Sequence, residues 1–104
     1  MEKYAFKLRL KPGCADEYKK RHDEVCPEMV DLLKDAGISD YSIHIDEETN
    51  ILFAVLWRTD DHNMEDTPSN PVMLKWWHYM SDIMERDGAE SPTVAPLKMM
   101  FHLP

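Results

Sequence analysis

The spacing of hydrophobic and polar positions changes along this chain, and each change marks an element. Tyr4, Phe6, Leu8 and Leu10 alternate with Ala5, Lys7 and Arg9, a period of two that predicts a half-buried strand ending at Pro12-Gly13. From Ala15 onward the apolar or ring-bearing positions are Tyr18, His22, Val25, Met29, Leu32 and Ala36, while Lys19, Lys20, Asp23, Asp31 and Lys34 fall elsewhere on the wheel. That spacing predicts an amphipathic helix, acidic at its start through Asp16 and Glu17 and stopped by Gly37. Pro27 lies inside it without an N–H for the Asp23 carbonyl, so the helix must kink or restart near Cys26.

Beyond Gly37, Tyr41, Ile43 and Ile45 alternate with Ser42 and His44, Asp46 to Asn50 supply turn residues, and Ile51 to Trp57 form a continuous apolar run. These read as a hairpin whose second strand is covered on both faces. After the polar segment from Thr59 to Asn70, Val72, Met73, Trp76, Trp77, Met80, Ile83 and Met84 return to helical spacing. Ser69 or Asn70 can cap this helix, with Pro71 in the first turn where a missing N–H is harmless. Past Gly88 and the loop from Ser91 to Pro96, Leu97, Met99, Phe101 and Leu103 alternate with Lys98, Met100 and His102, predicting a last strand up to Pro104. The order strand, helix, strand, strand, helix, strand specifies a ferredoxin-like α+β fold in a single domain over residues 1–104. Two helices cover only one face of such a sheet, so the other face meets solvent or a second subunit, and a sheet-to-sheet homodimer is expected.

Composition narrows the partners. The 104 residues carry 12 basic and 20 acidic side chains, a formal net charge of -8. That balance disfavours nucleic acid, whose binding needs clustered Lys and Arg, and disfavours anionic membrane surfaces equally. A chain this short buries a modest fraction of its surface on folding, which favours pairing with a second copy. The longest apolar run, Ile51 to Trp57, is far too short to span a membrane, and the opening Met-Glu-Lys-Tyr-Ala-Phe-Lys is not a signal peptide, so the expected location is the cytoplasm. Cys14 and Cys26 form no Cys-x-x-Cys pair and read as two reduced thiols.

Four features bear on chemistry. His22 follows Tyr18 by one turn on the stripe facing the sheet, where an imidazole can exchange protons near neutral pH and a phenol can orient a substrate hydroxyl. A core histidine satisfied by a carbonyl or water fits the same spacing. Trp76-Trp77 places two indoles about 100° apart on one helix, so both cannot point into one core contact and one lines an edge or cavity. Tyr41 carries a hydroxyl that needs a partner if buried, whether structural or from a ligand. The five histidines lack spacing that would set two ligands on one helix face, so no metal is expected, and neither a phosphate loop nor a Gly-x-Ser-x-Gly elbow is present. Cofactor-free proton transfer, or simple binding, remains.

The residues Tyr18-Lys-Lys-Arg-His22-Asp-Glu-Val-Cys-Pro27-Glu28, Asp40-Tyr41, Lys75-Trp76-Trp77-His-Tyr79-Met80, Glu90-Ser91-Pro92 and the ending Phe101-His-Leu103-Pro104 resemble the L-rhamnose mutarotase family over essentially the whole chain. The resemblance implies a dimeric ferredoxin-like α/β-barrel enzyme, free of cofactors, that interconverts the α and β anomers of L-rhamnose. It implies that His22 is the proton donor and that Tyr18, Tyr41, Trp76 and Trp77 contact the sugar. Mutarotation needs a proton delivered to the ring oxygen while another leaves the anomeric hydroxyl, and one imidazole can serve as acid in one direction and base in the other. Two other readings share the architecture or the residues: a haem-degrading or small-molecule monooxygenase of the dimeric barrel type, and a non-enzymatic sugar-binding module.

Overall fold

Strand β1 (Glu2–Arg9) runs through the middle of a four-stranded sheet and organises everything around it. The chain continues through α1 (Ala15–Asp23), α2 (Pro27–Asp35), β2 (Ile38–Asp46), β3 (Ile51–Arg58), a 3-10 helix at Met64–Ser69, α3 (Pro71–Met80) and β4 (Ala95–Leu97). The computed structural model describes residues 1–86 and 91–104, so Gly88 and Glu90 lie outside the described residues. The strand order is β2-β3-β1-β4, and every pairing is antiparallel. The α+β class and the four strands therefore match the reading from periodicity.

Alternation sorts the side chains onto two faces. Leu8 lies opposite Leu52, Phe6 opposite Ala54 and Tyr4 opposite Leu56, all on the face that the helices cover. Phe6, Leu8, Leu52, Ala54 and Leu56 are buried there beneath Met80 and, from the turn after α3, Ile83 and Met84. The other face carries Phe53, Val55 and Trp57 beside Ala5, Lys7 and Lys3. Phe53 remains 36% exposed, so within one chain β3 is covered on one face and not on both. A continuous apolar run arises here from a packed face plus a bare sheet centre, which a period count alone cannot distinguish from two packed faces.

The first helical stretch divides instead of kinking. Glu24 N–H reaches the Lys20 carbonyl at 3.2 Å and Val25 N–H the His22 carbonyl at 3.1 Å, closing α1. Cys26 is extended and Pro27 becomes the first residue of α2, where its fixed φ suits a helix start and no hydrogen bond is forfeited. At the start of α3, Asn70 is the cap: its side-chain oxygen accepts from Val72 N–H at 2.9 Å. That helix ends at Met80, earlier than its apolar spacing suggests, and Ile83 and Met84 belong to a turn that docks on β1, with Lys11 N–H on the Ile83 carbonyl at 2.9 Å. The last strand is also shorter than expected. Only Ala95–Leu97 pairs with β1, and residues 98–104 continue without strand pairing, Met100, Phe101 and Leu103 being exposed.

Strand β2 contains the one irregularity that matters for the site. Ser39 pairs with Trp57 and Ser42 with Val55, so three steps on β2 match two on β3 and one residue is extra. The bulge sits at Asp40, whose φ of 47° is the left-handed conformation that aspartate tolerates better than most side chains. Without it, the residues sharing the inner face with buried Ile38 would be even-numbered. With it, Tyr41, Ile43 and Ile45 turn inward.

Gly37, joining α2 to β2, has φ of 91°, and its carbonyl accepts from Thr59 N–H at 3.0 Å. A Cβ there would collide with Thr59 Oγ1 and crowd His62 Cα at 3.3 Å, whereas one at Gly13, also at positive φ, would meet open space. Backbone strain of about 1–3 kcal/mol applies to alanine at either position, but only Gly37→Ala adds a clash. Urea denaturation should therefore show Gly37→Ala to be the more destabilised of the two by at least ~1 kcal/mol; equal losses would contradict this packing.

Candidate functional site

A cavity of about 890 Å³ opens between the inner face of the sheet and helices α1 and α3, within the size range of small-molecule sites. Its wall is mainly apolar. Tyr18 and His22 come from α1, Tyr41 from the bulged part of β2, and Trp76 and Trp77 from α3. All five residues singled out from the sequence line this one cavity. Exposed Asp16, Asp23, Asp40 and Glu47 contribute to its rim.

His22 Nδ1 lies 3.0 Å from the carbonyl oxygen of Tyr18, one turn earlier in α1. A carbonyl only accepts, so Nδ1 carries the proton and the neutral ring holds its lone pair on Nε2. The imidazole is sandwiched as well as tethered. Its ring centre is 4.2 Å from that of Tyr18 and 5.1 Å from that of Trp76, the latter in an edge-on contact at 89°. Burial lowers the His22 pKa below the usual 6.5, opposed by the bond to the Tyr18 carbonyl and by the nearby Asp23 charge. At neutral pH the side chain is therefore an uncharged base.

The two phenols are set for the opposite role. Burial raises the Tyr18 pKa, and charge repulsion from neighbouring Tyr41 raises it further. Tyr41 is pushed up to about 12 by burial. Tyr41 is still 36% exposed, and since this residue lines the cavity, that surface faces it while the ring edges against Phe6 at 6.3 Å. Both hydroxyls stay protonated under ordinary conditions and offer one donor and two acceptor positions each, without serving as bases.

Trp76 and Trp77 are both half-buried and both line the cavity. Trp76 also packs on the core, so a single indole serves as core and as wall. Asp60, Asp61 and His62 lie elsewhere: Asp60 accepts the N-terminal ammonium at 2.8 Å, and His62 Nδ1 accepts Met64 N–H at 3.2 Å. Arg21, beside His22 in sequence, was not legible as part of this region. Its guanidinium donates to both carboxylate oxygens of Asp82 at 2.8 and 3.2 Å and to the Tyr79 carbonyl at 2.8 Å, partners some sixty residues away that no local spacing reveals.

The fold and the cavity thus define a small α+β protein whose cavity brings together one neutral imidazole, two phenols and two indoles. A family model described as L-rhamnose mutarotase matches residues 3–103. The chain is 64% identical to an L-rhamnose mutarotase of Sinorhizobium fredii over 99% of both chains, and 62% identical to one of Jannaschia over the whole of both. It superposes on the crystal structure of an L-rhamnose mutarotase from Formosa agariphila with a TM-score of 0.93, at 43% identity and full coverage of both chains. The chain belongs to the L-rhamnose mutarotase family.

The burial of Tyr41 has a measurable consequence. Because its phenol is held near 12 while an unfolded tyrosine ionises near 10, it remains largely protonated at pH 11, and folding stability must fall as pH rises from about 10 through the raised value. Phenolate absorbance at pH 11 should accordingly be nearly the same for the wild type and for Tyr41→Phe; a clear drop in the variant would contradict the burial.

Proposed function

We propose that this chain is a carbohydrate isomerase that interconverts the α and β anomers of L-rhamnose by cofactor-free proton transfer. The observation that carries the reading is His22, with its Nδ1 proton committed to the Tyr18 carbonyl in a cavity walled by aromatic rings. Family membership over residues 3–103 supports the substrate. A neutral deoxy sugar suits the wall. Its hydroxyls pair with protonated Tyr18 and Tyr41, and its C–H and methyl edges pack on Trp76 and Trp77.

The proton balance follows from the tautomer. His22 Nε2 removes the anomeric hydroxyl proton as the bond between the anomeric carbon and the ring oxygen breaks, its electron pair going to the ring oxygen. The imidazolium then delivers a proton to that oxygen, giving the open aldehyde. Rotation about the bond to the aldehyde carbon exposes its other face. Reclosure runs the same steps backwards: His22 takes the proton from the attacking hydroxyl, and the new anomeric oxygen is protonated. Both oxygens are bonded to one carbon, so a single imidazole can act at each in turn, in keeping with its expected role as donor to the ring oxygen.

We also read the chain as one domain over residues 1–104 with a ferredoxin-like fold, pairing through its bare sheet face into a dimeric α/β-barrel in the cytoplasm. Support comes from the strand order β2-β3-β1-β4, from Phe53 and Leu97, each 36% exposed on that face, and from Cys14 and Cys26 as free thiols. Among the described residues no helix is long and apolar enough to cross a membrane.

Saturation-transfer NMR on L-rhamnose tests the reaction. Wild-type protein should accelerate exchange between the anomer signals, and His22→Ala should lose about 10²–10⁴-fold of that acceleration, the usual worth of a general acid–base group. Equal exchange in the variant, or none in the wild type, would overturn the assignment.

A further inference from the structure

Helix α1 supplies both Tyr18 and His22, yet none of its residues is fully buried. Ala15 and Tyr18 pack against the core without being fully buried, so polar ties also bear on where the side chains of α1 sit relative to α3. Arg21 ties the two together. Its side chain is only 11% exposed and reaches from α1 to the end of α3, where it meets Asp82 in a two-pronged ion pair and donates to the Tyr79 carbonyl. A cation suits the C-terminal end of a helix, where carbonyls are unpartnered. Glu17, one turn earlier on α1, accepts from Arg21 Nε at 3.1 Å and adds a third anchor to the guanidinium.

The contact continues into the cavity. The Arg21 guanidinium stacks 4.6 Å from the centre of the Tyr79 ring, Tyr79 lies 5.9 Å from Trp76, and Trp76 meets His22 edge-on. His22 follows Arg21 directly in α1. The route from Arg21 through Tyr79 and Trp76 therefore returns to the residue beside Arg21, forming a closed circuit that spans both helices.

We propose that Arg21 is a positioning residue for the mutarotase reaction, its grip on Asp82 and the Tyr79 carbonyl fixing the His22 imidazole against Trp76. The proposal rests on the mutarotase reading of the site and deepens it. Arg21 touches no substrate in this account and acts only through His22 and Trp76. A lysine at this position keeps the charge but offers a single point contact in place of the planar fork, so it restores part of the effect.

The test compares Arg21→Gln, Arg21→Lys and Asp82→Asn with wild type in anomer exchange and in NMR of the His22 ring protons, which the ring currents of Tyr18 and Trp76 displace. Arg21→Gln should lower kcat by roughly 10-fold or more, as small misplacements of catalytic groups do, with KM changed less than about 2-fold. The His22 Hε1 and Hδ2 signals should move toward free-histidine positions. Arg21→Lys should recover part of the rate and part of the shift. Asp82, largely exposed, is replaced without opening the core, so Asp82→Asn gives the same directions if Arg21→Gln does not fold. Unmoved His22 signals together with a kcat within about 2-fold of wild type in Arg21→Gln, or in Asp82→Asn if Arg21→Gln does not fold, would overturn the positioning role. Wild-type protein without exchange would overturn the mutarotase reading instead, and the His22 signals would still decide whether Arg21 sets the ring.

Discussion

The hydrogen bond from His22 Nδ1 to the carbonyl of Tyr18 is the constraint on which the proposed chemistry rests. A ring nitrogen that donates to a backbone carbonyl has its tautomer chosen by the helix itself, because the acceptor is the residue one turn earlier and cannot turn away. The remaining nitrogen is then a base whenever the ring is neutral. Burial between Tyr18 and Trp76 keeps it neutral at ordinary pH. The same burial keeps the Tyr18 and Tyr41 phenols protonated. One physical effect, the partial burial of these groups in the cavity wall, thus separates them into a proton acceptor and two hydrogen-bonding phenols.

The scaffold serves this arrangement by two local departures from regular structure. The chain breaks between α1 and α2, with Pro27 restarting the helix, so the segment holding Tyr18 and His22 is a separate short rod. The bulge at Asp40 inverts the alternation of β2, and only then does Tyr41 share the face of the sheet that α1 and α3 cover. Bulges beside functional sites re-aim side chains in this way. The net charge of -8 fits the same picture: a neutral sugar asks for rings and hydroxyls, and the carboxylates can stay at the rim.

Much of this was readable from residues alone, for reasons that differ by element. Tyr18 and His22 are one helical turn apart, and Trp76 and Trp77 stand on a helix whose cap and proline mark its start, so local periodicity places them. The hairpin of β2 and β3 was legible because alternation and turn residues are both local signals. Its bulge carries no turn or proline signal, and the odd separation of Ile38 from Tyr41 is the trace it leaves in the sequence. The Arg21 contacts with Asp82 and Tyr79 depend on how α1 and α3 pack, and no spacing rule reports on partners so distant. The final strand failed for a related reason: alternation from Leu97 to Leu103 describes a chain able to pair, but β1 pairs only with Ala95–Leu97.

The central claim is that neutral His22 is the working form of the catalyst. It is tested most directly by the pH dependence of anomer exchange at limiting sugar, read alongside an NMR titration of the His22 imidazole. Because burial lowers its pKa below 6.5, the neutral ring predominates above that value and is lost as pH falls through the lowered one. The account predicts exchange that is flat through neutral pH and declines on the acid side in step with His22 protonation. A rate that instead rises as the imidazole takes up its proton would contradict it.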